Sequence, residues 1–178
     1  MKTSLVLTVI GDDRPGIVEQ LSDPIVATGA NWEESRMARL AGKFAGLLRV
    51  SVDSDRAEAL TAALASMSSG GLTVVVEGST DTQPQTFRTL SLELLGNDHP
   101  GIVRDLSRVL AHQGVNIEEL ETETMSAPMS GDTLFRARAT LRIPATTTID
   151  RVRDALEKVA GELMVDVALD EAAPLVNE

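Results

Sequence analysis

Two short segments of the chain carry residue types that suit the binding of a small zwitterion. They are Gly11-Asp12-Asp13-Arg14-Pro15-Gly16-Ile17-Val18 and Gly96-Asn97-Asp98-His99-Pro100-Gly101-Ile102-Val103. Each stands where a predicted strand leads into a predicted helix, and the first amides of a helix can hold a carboxylate. Gly16 and Gly101 permit close approach of a ligand to the backbone. Asp13 and Asp98 can accept hydrogen bonds from an ammonium group.

Two asparagines extend this candidate site. Asn31 and Asn116 stand at the start of the strand that follows each helix, and their side chains offer a donor and an acceptor. A plainer interpretation fits the loops equally well. The pairs Asp12-Asp13 and Asn97-Asp98 are good N-cap residues, and the prolines that follow suit a first helical turn. The residues by themselves leave a ligand site and a capping turn both open.

The two segments belong to an internal repeat. Residues 11–34 and 96–119 align without a gap at an offset of 85, and 12 of these 24 positions are identical. A repeat unit of roughly 80 residues is a domain rather than a turn of a solenoid. The chain is therefore predicted to contain the same domain twice.

Apolar periodicity predicts the elements of each copy. Alternation in Leu5–Val9 and Leu90–Leu94 indicates strands, and a spacing of four in Ile17–Ile25 and Ile102–Leu110 indicates helices. The other predicted elements are strands near 31–40 and 116–125, strands at 44–52 and 135–143, helices across 57–64 and 149–156, and closing strands at 72–76 and 163–167.

The order βαββαβ, taken twice, predicts an α+β protein of two tandem ferredoxin-like domains. Each domain is expected to have a four-stranded antiparallel sheet with two helices on one face. The predicted bounds are 1–79 and 87–170, with a linker at 80–86 and a tail at 171–178. The second copy carries about six extra residues in the hairpin around 126–132. Pro24, where the second copy has Val109, predicts a bend or split in the first helix alone.

Composition argues against several classes of function. The 178 residues include 16 Lys and Arg against 27 Asp and Glu, a net charge of -11, so binding to a phosphate backbone is not expected. The absence of Cys excludes disulfides and thiolate chemistry. One Trp, three Phe and no Tyr leave little for base stacking. Without a long apolar run or a signal-peptide pattern, the protein is expected to be soluble and cytoplasmic.

The remaining polar clusters have plain interpretations. Four glutamates between 118 and 123 fall on a predicted edge strand, where acids prevent unwanted pairing, so no metal site is predicted. His99 either contacts a ligand carboxylate or is solvated, and His112 suits the negative end of a helix dipole. Trp32 is expected to pack rather than to stack on a ligand. Neither a catalytic residue nor a cofactor is predicted.

The repeated unit resembles the ACT domain in both copies. The resemblance is carried by the βαββαβ order, by the loop Gly-Asp-Asp-Arg-Pro-Gly-Ile-Val after the first strand, and by Gly-Ala-Asn at 29–31. A tandem pair of about this length resembles the glycine cleavage system transcriptional repressor family. ACT domains are regulatory modules that bind amino acids at interfaces between paired domains, so the resemblance implies ligand sites without catalysis.

The resemblance and the loop chemistry together define the candidate site and partners. The candidate ligand-binding residues are Asp12, Asp13, Pro15, Gly16, Ile17, Val18 and Asn31 in the first copy, and Asn97, Asp98, His99, Pro100, Gly101, Ile102, Val103 and Asn116 in the second. The implied ligand is a small amino acid, glycine above all. The implied protein partner is a DNA-binding transcriptional activator, with no direct contact to DNA or membrane. Pairing with a second chain is a further expectation, and the alternative is that the two units of one chain pair with each other.

Two other functions stay open. A sensor that regulates a metabolic enzyme in trans would carry the same motif. An acyl-phosphate hydrolase shares the ferredoxin-like fold but would need a basic cradle, and the loops hold one Arg in the first copy and none in the second.

The open faces of the two sheets are predicted to differ. In the first copy Val6, Ile10 and Leu47 make that face apolar, so it is expected to be covered by another surface. In the second copy Arg138 and Glu93 are among its charged residues, which predicts a solvated face with cross-strand ion pairs.

Overall fold

The computed structural model describes residues 1–79, 87–127 and 131–171, and it contains the predicted order of elements twice. The first copy consists of β1 (Lys2–Asp12), α1 (Ile17–Ala27), β2 (Asn31–Leu40), β3 (Lys43–Asp53), α2 (Ala57–Ala65), a 3-10 turn (Ser66–Gly70) and β4 (Leu72–Gly78). The second consists of β5 (Phe87–Asn97), α3 (Ile102–His112), β6 (Asn116–Ser126), β7 (Thr133–Pro144), α4 (Ile149–Leu163) and β8 (Val165–Glu171).

The strands form two separate antiparallel sheets. Their strand orders are β2-β3-β1-β4 and β6-β7-β5-β8, which confirms the predicted α+β architecture of two ferredoxin-like units. The chain divides into compact units at Met1–Thr82 and Gln83–Glu178. The predicted linker at 80–86 and residues 172–178 of the predicted tail lie outside the described residues, whereas Glu171 ends β8.

Each unit has its own hydrophobic core between its sheet and its helices. In the first unit Leu7, Leu21 and Leu60 bring β1, α1 and α2 together and are fully buried. Leu106 and Leu141 are buried in the same way in the second unit. Burial of one such side chain stabilises the fold by roughly 1.5 to 3 kcal/mol. Trp32 is half-buried against the first core, as predicted.

The helix starts differ from the prediction. Asp12 and Asn97 are the last residues of β1 and β5, and α1 and α3 begin only at Ile17 and Ile102. The N-cap positions are Gly16 and Gly101, and no side chain of the described residues caps either helix. The prediction of Asp or Asn caps was therefore wrong, because the strands continue through Asp12 and Asn97 and the next four residues, which begin with Asp13 and Asp98, turn the chain before the helix starts.

Three smaller predictions concern Pro24, the longer second hairpin and the start of the last strand. Helix α1 continues through Pro24 and is not split, and its expected bend stays a prediction. The extra residues of the second copy lie between β6 and β7, although 128–130 are outside the described residues. The last strand was predicted from 163, but Leu163 ends α4 and Met164 is a left-handed cap, so β8 starts at Val165.

The open faces of the two sheets differ as their sequences suggest. In the first sheet Ile10, Leu47 and Val75 are close neighbours in the strand register and are each about half exposed. That this face is covered in the assembled protein stays a prediction. In the second sheet Arg138 donates to Glu93 at 2.6 Å, which confirms the predicted cross-strand ion pairing. Hydrogen bonding and charge attraction from Arg138 lower the pKa of the Glu93 carboxyl.

Candidate functional site

A corner of free backbone amides follows the first strand of each unit. The first backbone hydrogen bonds of α1 and α3 run from Gln20 N to Gly16 O and from Asp105 N to Gly101 O, at 2.9 and 3.0 Å. The amides at 17–19 and 102–104 precede these bonds and point out of the helix end. Glycine occupies each cap, and no side chain of the described residues makes a capping hydrogen bond there.

Glycine is required at these caps by the backbone. Gly16 has φ 87° and Gly101 has φ 103°, in the left-handed region that L side chains rarely adopt. A Cβ added at Gly101 would come no closer than 3.4 Å to a neighbouring atom. The requirement is therefore conformational, because an added Cβ at Gly101 would make only ordinary contacts with Arg104 and Asp105.

The side chains that follow the caps divide into two groups. Ile17 and Ile102 are buried in the cores, so they offer only their backbone amides to a ligand. Val18 and Val103 are 48% and 39% exposed and border the amide corner with an apolar surface. The two prolines at 15 and 100 are exposed in the loop. A ligand can therefore reach the amides, the valines and the prolines, but not the two isoleucine side chains.

Both loops are held by the neighbouring hairpin. The Asp13 amide donates to the Gly42 carbonyl at 2.9 Å, and the Asp98 amide donates to the Thr133 carbonyl at 2.8 Å. Gly42 belongs to a two-residue turn with Ala41, and both have positive φ as in a type I′ hairpin. The register of each hairpin therefore fixes the position of its loop.

The acidic side chains of the first loop are engaged by cations of that hairpin. Arg39 donates to the Asp13 carboxylate at 2.5 Å, and Lys43 donates to Asp12. The hydrogen bond and positive charge of Lys43 lower the pKa of Asp12. Arg39 was not foreseen from the sequence, because it lies 26 residues from Asp13 and only the β2–β3 pairing brings it near. The one signal for Arg39 in the sequence was that the aligned position in the second copy holds Thr124 instead of Arg.

The second loop is organised differently. The Asp98 carboxylate has no hydrogen-bonding or ionic partner among residues 1–79, 87–127 and 131–171. The His99 ring lies 3.3 Å from the Leu163 carbonyl at the end of α4. Asn97 is opposite Leu134 in the β5–β7 ladder. Hydrogen bonding from Arg104 lowers the pKa of Asp105 in the first turn of α3.

The two asparagines do not lie at the loop of their own unit. Asn31 is level with Ser4 across the sheet, whereas the loop follows Asp12. Eight residues of strand separate these levels, which corresponds to about 26 Å. In the second unit Asn116 is level with Thr89, at the same remove from Asn97. Each unit therefore brings together its amides and its Asp and leaves its Asn at the opposite end of the sheet.

The chemistry of the corners is the binding of a small anionic group. The uncapped helix ends carry partial positive charge and unpaired donors. The described residues contain no group of His, Asp and Glu side chains placed to hold a metal ion. The glutamates 119, 121 and 123 share one face of β6, which is an edge strand of its sheet. Within the described ranges no helix has both the length and the apolar character needed to cross a membrane.

Two βαββαβ units, each with a glycine-started helix after its first strand, define a tandem ACT-domain protein. ACT-domain family models match residues 3–77 and 84–165, so the chain belongs to the ACT-domain family in both halves.

The relatives extend over nearly the whole chain. The glycine cleavage system transcriptional repressors of Escherichia coli (strain K12) and Shigella flexneri are each 24% identical over 161 residues, covering 89% of this chain and 85% of theirs. The crystal structure of an unknown protein from Galdieria sulphuraria has a TM-score of 0.83 at 37% identity, covering 97% of this chain and 100% of that one. A structure described as a candidate glycine cleavage system transcriptional repressor has a TM-score of 0.74 at 19% identity, covering 97% and 98%, and supports the fold. The chain is thus an ACT-domain regulatory protein related to that repressor.

Proposed function

We propose that the protein is a glycine-responsive regulator of transcription of the glycine cleavage system. It binds the amino acid at its amide corners and acts through contact with a DNA-binding activator. The observation that carries this proposal is the alignment of both ACT domains, over 89% of the chain, with repressors of that name. The duplicated amide corner supplies a physical reason for an amino acid as the ligand. Its backbone amides can donate to the carboxylate of the ligand, and the nearby Asp carboxylate can accept from the ammonium group.

Direct binding to DNA is not part of the proposed mechanism. The net charge of -11 opposes contact with a phosphate backbone. Regulation then requires that glycine favours one assembly over another, because a ligand shifts an equilibrium only by its differential affinity for the two states. We place the protein in the cytoplasm, where such an activator acts, and assign it no catalytic step.

The asparagines enter the proposal through a second chain. A single glycine molecule cannot contact both Asn31 and the loop of the same unit across about 26 Å of strand. If Asn31 or Asn116 contacts the ligand, another ACT unit must supply it, and we propose a second copy of the chain. Glycine should then bind more tightly as the protein self-associates, and sedimentation equilibrium with and without glycine measures this linkage.

The function is tested by measuring glycine binding and partner release together. Calorimetry with glycine, serine and N-acetylglycine should show heat with glycine and little with N-acetylglycine, which lacks the ammonium charge. The protein immobilised from its native cell should retain a transcription factor, identified by mass spectrometry, and release it on addition of glycine. A variant with Gly101→Ala should respond more weakly, whereas Gly161→Ala, on an exposed part of α4, serves as the matched control.

The possible results separate the candidate functions. Retention of a metabolic enzyme in place of a transcription factor would favour the trans-acting sensor. Turnover of an acyl phosphate would restore the hydrolase. Absence of any heat with glycine would refute the proposed ligand, because the carboxylate and ammonium sites are its physical basis.

A further inference from the structure

The two amide corners share a backbone but differ in the partner of their acidic residue. In the first unit the Asp13 carboxylate accepts from Arg39 at 2.5 Å, and its side chain is 30% exposed beneath the guanidinium. In the second unit Asp98 has no such partner among the described residues. The Asp of this loop thus has a cationic partner in the first unit and none among the described residues in the second, where the nearby Arg104 is bonded to Asp105 instead.

The strand register shows that one substitution produces this difference. Arg39 is opposite Phe44 in the β2–β3 ladder, and its counterpart opposite Phe135 is Thr124. The loops themselves are anchored alike, with the Asp amide bonded to a hairpin carbonyl in both units. From 126 to 134 the second hairpin has no Lys or Arg in the sequence. The end of the hairpin next to the loop therefore supplies no Lys or Arg in place of Arg39, and Arg136 and Arg138 further along β7 are bonded to Glu123 and Glu93.

We propose that Arg39 takes, within the first unit, the place that the ammonium group of the ligand takes beside Asp98 in the second unit. The inference rests on the proposed function, and it states which of the two amide corners of the protein binds glycine. A guanidinium satisfies a carboxylate well and repels a second cation brought close to it. Glycine should therefore bind the second corner at least about tenfold more tightly than the first.

The experiment counts and locates bound glycine in the full chain. Calorimetry gives the number of ligands per chain, and the amide NMR signals of Gly16 and Gly101 report which corner is occupied. The test variants are Arg39→Thr, which copies the second unit, and Asp98→Asn. The matched control is Arg49→Thr, which removes the same charge from an open-face pair with Glu34, about 20 Å of strand from the loop. The Arg39 side chain is 70% exposed, so its replacement should leave the fold intact.

The expected pattern is specific. The unaltered protein and Arg49→Thr should bind one glycine tightly and shift only the Gly101 signal. Arg39→Thr should bind two with similar affinity and shift both signals, and Asp98→Asn should weaken the tight site about tenfold or more. Equal shifts at both glycines in the unaltered protein, or one ligand still bound to Arg39→Thr, would overturn the inference and leave glycine sensing in place. No shift in any protein would overturn the proposed function and this inference with it.

Discussion

A methyl group added at Gly96 should destabilise the second unit, because the chain leaves no room for it. Gly96 is opposite Val165 in the β5–β8 ladder, immediately before the candidate ligand loop. A Cβ at this position would come closest to the Val165 Cγ1 methyl group, and it would lie 2.8 Å from the Val165 Cβ and 2.9 Å from its Cα. The Cα cannot move without the strand, so β8 must shift away from β5. Overpacking of this kind costs about 1 to 3 kcal/mol in free energy of unfolding.

A double-mutant cycle separates this contact from a general loss of stability. Val165→Ala removes two largely buried methyl groups and should cost about 1 to 2 kcal/mol alone. In the Gly96→Ala background it relieves part of the clash, so the double variant should be more stable than the sum of the singles predicts by about 0.5 to 1 kcal/mol. The matched control is Gly161→Ala, where a Cβ meets nothing within 4 Å and a helical alanine should stabilise.

Urea unfolding followed by circular dichroism supplies these free energies. The steric explanation requires that Gly96→Ala lowers the free energy of unfolding and that Gly161→Ala raises it. It also requires that the double variant with Val165→Ala is more stable than the sum of the two single changes. If Gly96→Ala costs less than about 0.5 kcal/mol, or if the two substitutions are strictly additive, then β8 does not press on Gly96 as described.

Three other predictions concern the same unit. Gly101→Ala should cost about 1 to 2 kcal/mol through its positive φ, and Gly101→Asn should cost less because Asn tolerates that conformation; thermal unfolding of both against the unaltered protein checks the order. Met164, left-handed at φ 53° and 81% exposed, should gain about 0.5 to 1 kcal/mol on change to Gly in urea unfolding, with no gain for Met164→Ala. Removal of Arg138 as Arg138→Gln should raise the pKa of Glu93 toward its ordinary value of 4.5 in a carboxyl NMR titration. Because the pKa of Glu93 is lowered in the folded state, the stability from the pair is present at neutral pH and is lost as the pH falls through the folded-state pKa. An unchanged Glu93 titration in Arg138→Gln would contradict Arg138 as the cause of the lowered pKa.

The sequence was sufficient for the architecture because its signals are local and occur twice. Alternation in β1 and β5 and the four-residue spacing in α1 and α3 follow from which side chains must leave water. The repeat confirmed each element against its copy, and the loop motif placed the candidate site between β1 and α1. These features depend on neighbours within a few residues, so they can be predicted without knowing how the chain returns on itself.

Tertiary structure decided which of the predicted residues act together. The engagement of Asp13 by Arg39 depends on the β2–β3 register, and the distance of Asn31 from its loop depends on the antiparallel return of β2. Neither can be seen along the chain. The choice of glycine over Asp as the helix cap was also decided there, since pairing of β1 with β3 extends the strand through Asp12 and leaves the turn to Gly16. Contacts between residues far apart in sequence are set by the register of whole strands, and local propensities do not fix that register.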